Sequence, residues 1–169
     1  MKNFLTVLAV TAFCISCSKK QSTPDSAQTD STKIIDSINA VRTKINNDIR
    51  SKNRFRDFSG THKFTHNLIK KTGSVNFTKI EDERDHYKVA GDAKSGKDYM
   101  HIQGDIKIVS DKHMNFTGNI SESISENDNG KPYVRKGTKT FMSKDGGKTY
   151  RLQDMVNGSG FVDYIDIHF

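Results

Sequence analysis

The chain has 169 residues, 33% of them hydrophobic, only two cysteines, and a formal net charge of +7. That length leaves room for one ordinary domain. Two cysteines placed three residues apart, at Cys14 and Cys17, exclude a disulfide framework.

In chain order, residues 1–16 are an expected secretory signal: Lys2, an apolar run from Phe4 to Ile15, then Ser16 directly before Cys17. The run falls short of the roughly 20 residues that a helix needs to cross a bilayer of about 30 Å. The ending CISC resembles the lipobox of bacterial lipoproteins, with Cys14 where Leu is usual. The resemblance implies that Cys17 is acylated, carries palmitate-type chains and becomes the mature N-terminus. It also implies a lipid-anchored place in the cell envelope, and Ser18 in the next position favours the outer membrane. With Cys14 discarded and Cys17 lipidated, no thiol remains for an internal disulfide.

Residues 17–32 then read as the lipidated cysteine and a disordered tether, because SKKQSTPDSAQTDST holds no large apolar residue to offset ordering entropy. Over residues 33–50 the pattern turns helical. Ile34, Ile38, Val41, Ile45 and Ile49 form one stripe, with Asp36 in the first turn and Arg50 in the last, as the helix dipole favours. Such a stripe packs on the domain, pairs with a second copy, or lies on a membrane surface.

The positive charge is concentrated here. Lys33 to Lys71 holds ten basic and three acidic residues, whereas Thr72 to the end holds fourteen basic and fifteen acidic. Within RSKNRFRDF, Arg50, Lys52, Arg54 and Arg56 surround Phe55 and form a basic patch. An exported protein does not meet nucleic acid. A solvated basic face is the plain expectation, and contact with acidic lipid head groups is the functional one.

Residues 51–169 form the expected folded domain, whose period is two. Phe58, Gly60, His62, Phe64, His66 and Leu68 share one face of the first strand. The alternation returns in SVNFTKI, HYKVAG, YMHIQGDIKI, HMNFTGNISESI, TYRLQ and FVDYIDIHF; the faces of YVRKGTKTFM are hard to separate. Gly- and Asp-rich turns divide these runs. The expected fold is all-β: an antiparallel meander of about eight strands, closed or partly closed into a barrel, behind one amphipathic helix. Gly91, Gly104 and Gly118 recur mid-strand on the apolar face, where glycine marks bends that curve a sheet toward closure.

The letters GGKT in SKDGGKTYRL suggest a phosphate loop, but Met142 stands where the first Gly of that motif belongs and a strand follows instead of a helix. SKDGGKTY resembles instead the Asp-box of sialidase-type propellers, with Ser143, Asp145, Gly147 and Tyr150 on the pattern. The resemblance implies a hairpin staple distant from any catalytic site. SENDNG lacks the Asp and Glu of a calcium loop.

His62 and His66 share a strand face but stand about 13 Å apart at 3.3 Å per residue, too far to share one metal. They and Asp163 are polar groups on apolar faces, hence candidates for ligand binding. No GxSxG or HExxH occurs, and neither enzyme activity, metal nor cofactor is expected. The body resembles small bacterial envelope lipoproteins and, by architecture, lipocalin-type barrels, although His62 replaces the lipocalin Trp. Two functions follow as expectations. One is a noncatalytic module binding a small apolar or amphipathic ligand in a lumen that the mid-strand glycines widen. The other is an interaction lipoprotein that contacts an envelope partner or the membrane through its basic N-terminal region.

Overall fold

A computed structural model describes residues 25–169. The signal segment, Cys17 and the first part of the tether lie outside the described residues. Helix α1 spans Asp25–Ser51, and eight strands follow: β1 Gly60–His66, β2 Gly73–Lys79, β3 His86–Ser95, β4 Asp98–Ser110, β5 His113–Ser123, β6 Tyr133–Met142, β7 Thr149–Leu152 and β8 Ile165–His168. They pair in sequence order, all antiparallel, and β8 returns to β1 through Lys63↔His168, Phe64↔Ile167, Thr65↔Asp166 and His66↔Ile165. The barrel is closed, and one helix precedes it.

Helix α1 starts eight residues before the expected Lys33, inside the expected tether. A stretch without large apolar residues buries nothing, but it can still be helical when solvated. The stripe Ile34, Ile38, Val41, Ile45 and Ile49 is uncovered, each residue 45–60% exposed.

The alternation places Phe64, Phe77, Ile102, Ile106 and Phe116 inside the barrel, each exposed by 1% or less. Together with Met100, Met114, Ile120 and Phe141 they fill it. Gly104, Gly118 and Gly137 stand opposite one another across β4, β5 and β6. The expectation that mid-strand glycines leave ligand space is corrected. A Cβ on Gly104 would lie 2.3 Å from the Thr117 carbonyl oxygen and 2.9 Å from the Phe116 ring. The missing side chains let strands and ring close together.

The ladders are uneven. β4 and β5 pair along nearly their whole length, whereas β6 and β7 share only Phe141↔Leu152 and Met142↔Arg151. The gap is bridged by residues 153–164, folded on themselves through Val156↔Val162 and a hydrogen bond from Asp163 N to Met155 O (2.8 Å). This corrects the last expected strand, FVDYIDIHF: β8 is four residues long, and Phe161, the first residue of that run, is 41% exposed.

The ends differ in chemistry. Near the start of β1, Phe58 packs on Phe169 at 4.9 Å and Tyr150 at 6.0 Å, and His62 lies 4.3 Å from the Phe169 ring. Residues 53–58 run over this end, where the Asp85 carboxylate accepts from the Arg54 and Phe55 amides at 2.9 and 3.0 Å. Tyr87 Oη accepts from Asn53 and donates to Asp57. In the 143–150 turn, Asp145 Oδ1 accepts from the amides of Lys148 and Thr149 and from the Ser143 hydroxyl, while Ser143 Oγ accepts from Gly147 N. The Thr149 amide above all holds the Asp145 carboxyl down at about 2. Gly146 and Gly147 take the positive φ that this turn requires (74° and 85°).

Candidate functional site

Charged residues on the apolar faces of strands meet at the other end of β1. Alternation turns His66 inward beside Phe64, Glu122 inward beside Ile120, and Arg135 inward opposite Ile120 in register. Asp163 comes from the bridging segment. All four are buried, with 3% exposure or less.

The guanidinium of Arg135 donates from Nη1 to Glu122 Oε1 (2.7 Å), from Nη2 to Asp163 Oδ2 (2.6 Å), and from Nε to the Asp154 carbonyl (3.2 Å). Asn127 Nδ2 donates to Asp163 Oδ1 at 2.8 Å. His66 Nε2 stands 3.6 Å from both Glu122 Oε2 and Asp163 Oδ1, just beyond hydrogen bonding. Its Nδ1 accepts from the Leu68 amide at 3.1 Å.

His66 Nε2 and the two facing carboxylate oxygens lie within 4.8 Å of one another, a set that could surround a small cation. Charge favours a proton there over a divalent ion. With a neutral ring the cluster carries one net negative charge, and a divalent ion would make it one net positive. An imidazolium makes it neutral, two charges against two. Protonation sets the Nδ1 proton against the Leu68 amide and costs about 1–3 kcal/mol for the lost acceptor, whereas an uncompensated buried charge costs several. Burial by itself lowers the pKa of His66, but Asp163 and Glu122 outweigh it and the net direction is upward. Burial likewise raises Asp163, and the facing His66 ring and the Arg135 bond reverse that, leaving it below the usual carboxylate range. The cluster is a charge-balanced lock that ties the 153–164 segment to β1, β5 and β6. It presents no free group to solvent.

Of the three candidate ligand-binding residues, the structure brings His66 and Asp163 together and leaves His62 in the aromatic end, with Nε2 2.8 Å from the Phe58 carbonyl. Glu122, Arg135 and Asn127 were not anticipated. The signal for Glu122 was present, since it shares parity with Met114, Phe116, Ile120 and Ile124. The basic patch divides. Arg56 stacks on Phe58 at 4.6 Å and donates to the Gly147 carbonyl, so it serves the barrel end; Arg54 lies over Phe55 at 5.4 Å.

On the outer wall a hollow of about 580 Å³ lies over β7 and β8, lined among others by Met142, Lys144, Arg151, Met155, Tyr164 and Asp166. Arg151 is held there by Asp166 at 2.7 and 2.8 Å and stacks on Tyr164 at 4.4 Å.

The PM1083 family matches residues 42–169, the barrel and the last part of α1. The chain belongs to the PM1083 family. One relative, uncharacterized protein PM1083 of Pasteurella multocida (strain Pm70), is 31% identical over 113 residues, covering 65% of this chain and 72% of the relative. No solved structure matches. In this PM1083-family chain, the stripe residues Ile34, Ile38 and Val41 precede the matched region, while Ile45 and Ile49 fall inside it.

Proposed function

We propose that this chain is a lipid-anchored protein of the bacterial envelope, in the outer membrane, whose barrel is a rigid, noncatalytic module acting through its outer surface and N-terminal region. The observation that carries this reading is the filled interior. Phe64, Phe77, Ile102, Ile106 and Phe116 occupy the volume that a carrier barrel leaves for cargo, and the glycine row adds none. The lock is sealed, which supports a noncatalytic role. Acylation at Cys17 rests on the lipobox resemblance.

The test is labelling of expressing cells with a palmitate analogue. The wild type is expected in the membrane fraction with label, and Cys17→Ala without it. An unlabelled wild-type protein, or label surviving in Cys17→Ala, overturns the anchor. A second reading keeps a small amphipathic ligand but moves it to the outer hollow, whose size suits one and whose Arg151 is already oriented. Native mass spectrometry of purified protein decides: a bound molecule lost in Arg151→Ala supports the second reading, and bare protein supports the first.

A further inference from the structure

We infer that α1 lies along an anionic lipid surface with its isoleucine stripe in the interface, a reading that deepens the proposed envelope anchoring and rests on it for location. The stripe is uncovered over four turns. At about 100° per residue, Ile34, Ile38, Val41, Ile45 and Ile49 occupy an arc of about 80°. Lys33 and Lys44 flank one side of that arc and Arg42 the other, while Asp36, Asn39, Thr43, Asn46, Asn47 and Arg50 take the far face. Long basic side chains beside an apolar stripe reach up to head-group phosphates while the stripe enters the interface. Asp30 and Asp48 stand at one edge of the stripe, each a turn from a lysine, Lys33 and Lys44, that offsets its charge.

A second copy fits the same stripe less well. Written as a heptad seam with Ile38 and Ile45 at one core position and Ile34 and Val41 at the other, Asp48 would fill the next core site. Arg42 and Lys44 would be the charged flanking residues, with no acid opposite. Two copies would put Asp48 in the seam and leave Arg42 and Lys44 without an acid, whereas acidic lipid satisfies both cations. The anchor site is near, since seven residues separate Cys17 from Asp25, at most about 25 Å of extended chain.

The test uses the mature chain from residue 17 with Cys17→Ser, so that one introduced cysteine carries a nitroxide and acylation plays no part. Labels at Ile38→Cys and Thr43→Cys report the two faces. With excess phosphatidylglycerol-containing vesicles, a water-soluble relaxation agent is expected to reach residue 38 several-fold less than residue 43. The difference should vanish with pure phosphatidylcholine and with high salt. Equal access at both positions on acidic vesicles overturns the inference. So does protection at residue 38 that persists without lipid and comes with spin–spin broadening, which marks a second copy. Loss of palmitate labelling would sink the anchor alone and leave this result standing.

Discussion

His66 faces two carboxylates with one ring nitrogen and a backbone amide with the other. Its folded pKa is raised above the ordinary histidine value. Its contribution to stability is therefore fully present below about pH 6.5, the unfolded value, and is lost as pH rises through the higher folded value. The urea midpoint of the wild type should fall across that window, and His66→Gln should flatten the curve by removing the titrating group. An equal pH slope in both proteins would show that the proton sits elsewhere. From sequence, His66 and Asp163 were recognisable as polar residues on apolar faces, but their meeting was not. They stand 97 residues apart, and alternation gives a side without giving a neighbour.

At the scale of elements, strand runs were legible wherever one face is apolar and the other polar, as in β1 to β5. β6 was ambiguous because Arg135 points inward and Gly137 carries no side chain to mark a face. β8 was drawn too long because Phe161 matched the parity of Ile165 and Ile167 while standing outside the ladder. The glycine row was wrongly read as opening the barrel, since its missing side chains are what let the strands and the Phe116 ring close together. Gly118→Ala tests the revised role. Its Cβ would meet the Gln103 carbonyl at 2.3 Å and the Phe116 ring at 2.9 Å, with little freedom for the backbone to give. The expected loss is about 1–3 kcal/mol of unfolding free energy, measured by denaturant titration; an unchanged midpoint would mean that the strands are not so close.

For the whole molecule, closure depends on a seam that hydrogen bonds alone barely join, since β6 and β7 pair at two positions. Arg135 supplies what the ladder lacks, reaching Glu122 on β5 and both Asp154 and Asp163 on the bridging segment. Arg135→Met keeps much of the volume and strands two buried carboxylates. It should cost about 3–5 kcal/mol, seen as a lower urea midpoint, with amide exchange rising first in residues 153–164. Adding Glu122→Gln and Asp163→Asn should recover part of the loss. A single mutant as stable as wild type would reduce the lock to a bystander.

The sequence alone determined the barrel class, the leading helix with its stripe, and the concentration of positive charge near the N-terminus. Period and composition are local properties, readable a few residues at a time. Whether the barrel is hollow or filled, which inward charges meet, and where the ladder fails were decided only by tertiary structure. Each depends on distances between residues far apart in the chain, and on whether the space left by one side chain is taken by another.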